Sequence, residues 1–138
     1  YFRIKIITSR KNQTPVDNLR THGSPPFSIA VIHGGPGAAG DMAPVAEELC
    51  RGHGVLEPLQ TKSTIDSQVL ELLGVLRQKA ELPVTLIYHS WGAWLAFIFA
   101  SRYPEMMNKC ILVGAGPFEE RYVPVMNETR RKRLSADE

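Results

Sequence analysis

The sequence predicts an α/β protein with a mostly parallel sheet covered by helices on both faces. Apolar runs rich in β-branched residues alternate with segments of helical periodicity. Strands that are buried on both faces lack polar–apolar alternation, so continuous apolar runs indicate a parallel sheet. At 138 residues the chain is long enough for one domain with a sizeable core.

The predicted elements follow one another as strand, helix, strand. The strands are expected at residues 27–33, 54–59, 84–89 and 109–113. The first two helices have a start signal and a breaker, which are Asp41 with Gly52, and Ser63 or Thr64 with Pro83. The third is expected from its apolar residues between Trp91 and Arg102, and Pro104 ends it. Before them, Phe2, Ile4 and Ile6 alternate like an edge strand, and KNQTPVDN is typical of a turn.

Composition excludes several classes of function. A net charge of +2 gives no broad attraction to nucleic acid or acidic membranes. Arg3 and Lys5 interrupt any signal peptide, and the apolar run Ala93 to Ala100 is too short to span a bilayer, so a cytoplasmic location is expected. Cys50 and Cys110 lack metal-type or disulfide-type spacing, so we expect free thiols in the core, no metal and no cofactor.

The stretch LIYHSWGAW places Ser90 between an apolar strand and an apolar helix. A sharp turn there exposes a nucleophilic serine, and it requires a small neighbour such as Gly92 where strand and helix approach closely. Tyr88 departs from this pattern, because the G-x-S-x-G motif has glycine at that position. The alternative is that Ser90 only caps the following helix.

HGGPG, residues 33–37, follows a strand and precedes a helix. A loop in that place supplies one backbone N–H of an oxyanion hole, and the residue after the nucleophile supplies the other. We assign these donors to Gly35 and Trp91. His33 is expected to hold the loop by local hydrogen bonds, together with Gly34 and Gly37, while Pro36 stiffens it because proline has no N–H.

These two motifs, about 55 residues apart, resemble the α/β-hydrolase superfamily and most closely its proline iminopeptidase-like branch. The resemblance runs over residues 27–116. It implies an α/β-hydrolase core that hydrolyses an ester or amide bond through an acyl-enzyme, with Ser90 as the nucleophile. The substrate would be a small molecule or a short peptide, such as one with an N-terminal proline.

The histidine of a catalytic triad is missing from its usual place. In this fold the triad order is Ser, then Asp or Glu, then His, but no histidine follows Ser90. Among the upstream histidines, His89 is expected on the opposite face of its strand from Ser90, and His53 at the wrong end of the sheet. His33 belongs to the loop, and His22 lies in a turn. We therefore expect at most slow hydrolysis of activated esters or prolyl amides.

The last residues carry a start signal for another helix. Ser135-Ala-Asp-Glu138 has the spacing of a capping box, and RRKR before it is typical of a solvated helix face more than of a nucleic-acid patch. We expect residues 1–117 to be the N-terminal part of a hydrolase core and residues 118–138 to begin a cap. The strand at residues 109–113 would then be an open edge that self-associates or binds a complementing C-terminal segment.

Two other functions remain open from the residues. Gly35, Gly37 and Gly40 satisfy G-x-G-x-x-G, and Glu57 follows at the end of the next strand, as in dinucleotide-binding domains. A non-catalytic binding or assembly domain is the other alternative, since Tyr88 and the absent histidine both depart from an active hydrolase.

Overall fold

The computed structural model describes residues 18–35 and 38–134. Four expectations lie wholly or partly outside these residues. They are the alternation at residues 2–6, the turn at residues 11–18, the loop positions Pro36 and Gly37, and the capping box at residues 135–138.

The described residues contain a five-stranded mixed sheet. Its strands are β1 (Leu19–His22), β2 (Phe27–Ile32), β3 (Gly54–Pro58), β4 (Val84–His89) and β5 (Met107–Val113). The spatial order is β1-β3-β2-β4-β5, and β1 is antiparallel to β3 while all other neighbours are parallel. Every parallel strand ends at the same edge of the sheet, which is where ligands bind in such folds.

Helices cover both faces of this sheet. They are α1 (Ala43–Leu49), α2 (Ile65–Lys79) and α3 (Trp91–Arg102), while α4 (Val123–Arg133) follows β5 and has no buried residue. The larger core packs α2 and α3 against one face, and a smaller cluster packs Met42 and Ala46 of the α1 region against Val31 and Val55 on the other. The predicted fold class, a mostly parallel sheet between helices, is confirmed.

The sequence placed most boundaries within two residues. α2 begins after Thr64, whose side-chain oxygen accepts from the Ser67 N–H at 3.3 Å, as a cap should. The cap predicted at Asp41 is wrong, because Met42 precedes α1 and the Asp41 carboxylate faces His89 instead. The core position expected for Cys110 is also wrong, since that residue is exposed on β5.

β1 was not predicted, and of α4 only its basic end, RRKR, was predicted as a solvated helix face. All side chains of α4 are at least partly exposed, and its basic residues include Lys132, paired with Glu128 at 2.7 Å. Within the described part of the chain, no helix combines the length and the apolar character needed to cross a membrane. A boundary between two domains at residue 117 stays a prediction.

Tyr88 occupies the position where the serine motif would have glycine. Its side chain is fully buried in the larger core, and its hydroxyl has no hydrogen-bond partner among the described residues. Burial raises the pKa of this hydroxyl well above its ordinary value, and the nearby Cys110 adds to the shift. Tyr88 therefore contributes apolar packing, while its neutral hydroxyl carries a desolvation cost.

We expect Tyr88→Phe to stabilise the protein slightly, because it removes an unpaired buried polar group whose burial costs about 1–3 kcal/mol. Tyr88→Ala should destabilise it by about 3–5 kcal/mol through the cavity it leaves. Urea unfolding of both variants measures these changes. A Phe variant less stable than the parent would mean that the hydroxyl has a partner.

A buried carboxylate joins β1 to β3. The side chain of Glu57 is 0% exposed, and its Oε2 accepts a hydrogen bond from His22 Nε2 at 2.9 Å. Its Oε1 has no hydrogen-bond partner among the described residues, although Arg20 Nη1 lies 3.8 Å away. The half-exposed Arg20 guanidinium also lies against Gly40, where a β-carbon would be 2.9 Å from Nη1. This cluster links the edge strand to the turn before α1.

Removing His22 should therefore cost more than removing Arg20. We expect His22→Ala to lower the free energy of unfolding by about 1–3 kcal/mol, because it leaves a buried carboxylate oxygen unpaired. Arg20→Ala should cost less than about 1 kcal/mol, since a half-exposed ion pair is weak. Chemical denaturation of the two variants compares these values, and equal losses would contradict this account.

β5 is an open edge of the described sheet. Ile111 is 43% exposed, and Leu112 and Val113 are exposed to a similar extent. An apolar edge strand with free N–H and C=O groups is a template for pairing with another strand. The structure thus has the exposed edge that the assembly prediction requires, while the partner itself stays a prediction.

We expect sedimentation at micromolar concentration to show self-association, most simply a two-fold dimer. Ile111→Lys should shift the protein toward monomer, because a charge on the edge opposes pairing. Leu70→Lys is the matched control, since Leu70 is also exposed but lies on α2. A monodisperse monomer whose β5 amides exchange freely would contradict the prediction.

Candidate functional site

Ser90 forms the corner between β4 and α3. Its backbone has φ 53° and ψ −116°, and it is the one non-glycine residue with positive φ in the described part of the chain. Such a conformation costs about 1–3 kcal/mol and persists only where the surroundings enforce it. The Ser90 side chain is exposed and makes no capping hydrogen bond, so the capping interpretation does not describe what this hydroxyl does.

Gly92 allows α3 to approach the end of β2. A β-carbon at Gly92 would lie 2.6 Å from the carbonyl oxygen of His33 and 3.2 Å from that of Ile32, which no side chain tolerates. The small neighbour that the turn was expected to need is therefore required at this position.

The glycine loop and the serine corner lie side by side. A β-carbon at Gly34 would be 3.5 Å from the β-carbon of Ser90, and one at Gly35 would be 3.9 Å from the β-carbon of Trp91. Trp91 is the first residue of α3, so its N–H has no partner within the helix. The structure thus brings together Ser90, Gly34, Gly35 and Trp91, four of the six described residues that the sequence assigned to one site.

The ring of His33 is buried and uses both of its nitrogens. Its Nε2 accepts from the Gln60 N–H at 3.0 Å, so the ring proton is on Nδ1, which donates to the Gly34 carbonyl at 3.0 Å. These bonds hold the start of the glycine loop against the segment after β3. A histidine with both nitrogens engaged in this way is not free to act as a base.

The side chain of Trp91 is also fixed. Its indole N–H donates to Gln68 Oε1 at 3.5 Å, and the Gln68 amide donates to the Lys62 carbonyl at 2.8 Å. This contact ties the first turn of α3 to α2. It also gives the buried Gln68 a role that sequence periodicity alone did not indicate, since it stands among apolar residues of α2.

An aromatic surface begins one helical turn after Ser90. Phe118 stacks on Trp94 with ring centroids 5.1 Å apart, and Phe97 lies 5.1 Å from Phe118. Phe97 and Phe118 are exposed, and a β-carbon at Gly116 would be 3.4 Å from Trp94 Nε1. The segment after β5 thus crosses over α3 close to the serine corner.

The residues of the dinucleotide alternative are arranged differently. Glu57 is buried and bonded to His22, so it offers no surface to a ribose hydroxyl. Gly40 has φ +96° and contacts Arg20, and Gly37 lies outside the described residues. Among the residues described, no group of His, Cys, Asp and Glu could hold a metal ion.

The position of Asp41 was not predicted. Asp41 Oδ2 lies 3.5 Å from His89 Nδ1, within ion-pair range, and the same oxygen would be 3.4 Å from a β-carbon at Gly34. His89 was expected on the far face from Ser90, but both residues border Gly34. The sequence signal that could have indicated this is the pair of polar residues at equivalent ends of β4 and the loop after β2.

The same fold occurs in solved hydrolase structures. The thioesterase domain from the curacin biosynthetic pathway is 26% identical, with TM-score 0.63, over 86% of this chain and 47% of that one. An epoxide hydrolase from Bacillus megaterium is 22% identical, with TM-score 0.63, over 83% of this chain and 43% of that one. A putative lipase from Acinetobacter baumannii is 19% identical, with TM-score 0.67, over 88% and 47% of the two chains.

By sequence, no family model and no curated protein matches this chain, so the similarity is seen in the structures. The chain spans about half the length of the solved structures it matches. These structures are α/β-hydrolases, which agrees with the coarser part of the sequence resemblance, while none of them indicates the proline iminopeptidase-like branch. Over the residues described, the chain has the α/β-hydrolase fold.

Proposed function

We propose that this chain carries the nucleophile and oxyanion hole of a serine hydrolase that cleaves an ester or amide bond through an acyl-enzyme. Ser90 is the nucleophile, and the N–H groups of Gly35 and Trp91 stabilise the developing oxyanion. Each such donor typically contributes about 10²–10³ in rate. Neither role needs a cofactor.

The conformation of Ser90 is the observation that carries this proposal. A serine that only capped α3 would have extended backbone and a hydroxyl bonded to the helix N–H groups. Ser90 instead has a strained φ of 53° and an exposed side chain without a capping bond. Strain of this kind concentrates at functional sites, and here it turns the serine toward the glycine loop.

The substrate is proposed to have an apolar group next to the bond that is cleaved. The exposed rings of Phe97 and Phe118 near Trp94 support this, because they give an apolar surface that begins one helical turn after Ser90. The HGGPG motif favours an N-terminal prolyl peptide. The likeness to a thioesterase domain adds thioesters to the esters and amides considered.

A non-catalytic binding domain is the second candidate. Tyr88 in place of glycine favours it, since the motif is incomplete. The buried position of Tyr88 weakens this candidate, because its ring points into the core shared with α2 and α3 while the corner at Ser90 is still formed.

We expect a fluorophosphonate probe to label the protein slowly at Ser90. The serine oxygen attacks phosphorus and fluoride leaves, so each label adds one phosphonyl group that intact-mass measurement detects. Ser90→Ala should abolish this label. Ser101→Ala should retain it, because Ser101 lies on α3 with its hydroxyl donating to the Ile98 carbonyl.

The same variants separate the two candidate functions. Labelling that is spread over several serines, or that persists in Ser90→Ala, would contradict the hydrolase and leave the binding domain. Peptide mapping of the labelled protein identifies the modified residue in either case.

A further inference from the structure

Two polar residues border the apolar face of α2. Gln68 and Glu71 are three residues apart, so they are neighbours on the helix surface. Gln68 is 6% exposed and stands beside the buried residues Val69 and Leu72. A buried amide costs free energy unless its polar atoms are hydrogen-bonded, so the partners of Gln68 indicate what it does.

The side-chain amide of Gln68 uses both of its ends. Its Nε2 donates to the Lys62 carbonyl at 2.8 Å, and its Oε1 accepts from the Trp91 indole N–H at 3.5 Å, the long limit of a hydrogen bond. A carbonyl only accepts and an indole N–H only donates, so the two contacts agree on the orientation of the amide. Gln68 thereby holds the side chain of the residue whose backbone N–H is the proposed oxyanion donor of α3.

The carboxylate of Glu71 accepts three hydrogen bonds. Its Oε1 accepts from Asn18 Nδ2 at 2.8 Å and from the Thr61 hydroxyl, and its Oε2 accepts from the Thr61 N–H at 3.0 Å. Bonds to a carboxylate are stronger than bonds between neutral groups. Glu71 therefore fixes the segment after β3 against α2.

This segment holds the glycine loop in turn. Gln60, next to Thr61, donates its N–H to His33 Nε2 at 3.0 Å, and His33 Nδ1 donates to the Gly34 carbonyl at 3.0 Å. Gly35, the other proposed oxyanion donor, follows directly in the chain. A continuous series of bonds thus leads from α2 to the residue before that donor.

Both contacts of α2 border one small cavity behind the site. Its lining includes Gln68 and Glu71 together with Ile32, the residue before the glycine loop, and Leu95 of α3. α2 therefore reaches the supports of both proposed donors from the same side.

We propose that Gln68 and Glu71 are positioning residues that fix the two oxyanion donors relative to each other, an inference that rests on the proposed function of Ser90. The two N–H groups come from separate segments, so one oxygen receives both bonds only when α3 and the glycine loop keep a fixed separation. A single helix that contacts each segment provides this common reference. Gln68 acts on α3 through Trp91, and Glu71 acts on the loop through Thr61 and the segment that it fixes.

The expected effects are smaller than the loss of a donor, because neither side chain touches the reacting atoms. Removing one oxyanion donor costs about 10²–10³ in rate, and a displacement of about 1 Å costs about 10². The Gln68 contact with the indole is long, whereas the Glu71 carboxylate has three partners. We therefore expect a loss of about 5-fold without the Gln68 contact and about 20-fold without the Glu71 contacts.

The test is the rate at which the fluorophosphonate probe labels Ser90, measured over a range of probe concentrations. Gln68→Met has a similar length but removes both bonds, and it should lower the labelling rate at saturating probe about 5-fold. Glu71→Leu should lower that rate about 20-fold. The probe concentration that gives half the maximum rate should stay unchanged in both variants, because negative charge on the oxygen develops only in the transition state.

A double variant identifies the route from Gln68 to the site. Trp91→Phe keeps the backbone N–H and removes the indole donor, so it should slow labelling about as much as Gln68→Met. The combined variant should be no slower than the slower single variant, because both changes break the same contact. Losses that multiply would mean that Gln68 does not act through the indole.

Two further variants separate positioning from folding. Glu71→Gln keeps an acceptor for the Thr61 N–H and should retain most of the parent rate. Gln78→Met is the matched control, since Gln78 is exposed near the end of α2, and it should leave the rate unchanged. Urea unfolding confirms that each variant is folded during labelling. A residue that only supported the fold would lower the urea midpoint without changing the rate of the folded protein.

The same measurements can overturn the proposal. Ser90-dependent labelling at the parent rate in both Gln68→Met and Glu71→Leu would refute the positioning roles and leave Ser90 as nucleophile. A slower rate in only one of these variants would refute the role of the other residue. A higher half-maximal probe concentration with an unchanged maximum rate would place both residues in probe binding and refute positioning. Absence of any Ser90-dependent labelling in the parent would refute the proposed function, and the positioning roles would fall with it.

Discussion

The contact between Gly92 and the His33 carbonyl fixes the relative position of everything at the candidate site. A β-carbon at Gly92 would lie only 2.6 Å from the His33 carbonyl oxygen, so any side chain at residue 92 would push α3 away from β2. The approach it permits sets Trp91 beside Gly35 and Ser90 beside Gly34. The strained φ of Ser90 follows from the same constraint, since the chain must reverse from β4 into α3 within one residue.

The described part of the glycine loop, residues 33–35, is held from several directions, as the proposed oxyanion hole would require. His33 bonds both to Gln60 and to its own neighbour Gly34. The Ala38 N–H donates to the Gly35 carbonyl at 3.1 Å. Arg20 lies against Gly40, in the turn before α1, and 3.8 Å from the buried Glu57 carboxylate. The donor proposed at Gly35 would therefore be positioned before substrate arrives.

Much of the fold could be predicted because its strands are buried on both faces. The runs at β2 and β4 are mostly apolar, and α3 is apolar nearly all round, so pattern alone located them. β1 could not be found in this way, because LRTH has no apolar alternation and is held by cross-strand contacts to Glu57. α4 has no buried face, so its sequence lacks the apolar periodicity that predicts a helix.

The site shows the same division between local and non-local information. Local chemistry predicted the serine corner and the glycine loop, since Ser90, Gly92 and HGGPG are motif residues. The contact between Asp41 and His89 depends on where the segment after β2 meets the end of β4 in space, and the sequence hints at it only through polar residues at these two places. The rule of strand alternation also fails at the residue with positive φ, because it assumes an extended backbone.

Tyr88 shows which glycine of the serine motif this corner depends on. Its side chain points into the core on the α2 and α3 face, where it packs without disturbing the corner. Gly92, in contrast, faces two backbone carbonyls that cannot move apart without separating α3 from β2. The residue two positions before the serine, Tyr88 here, can therefore be large if the core has room for it. The residue two positions after the serine has no such freedom, so in this chain Gly92 is the part of the motif that geometry requires.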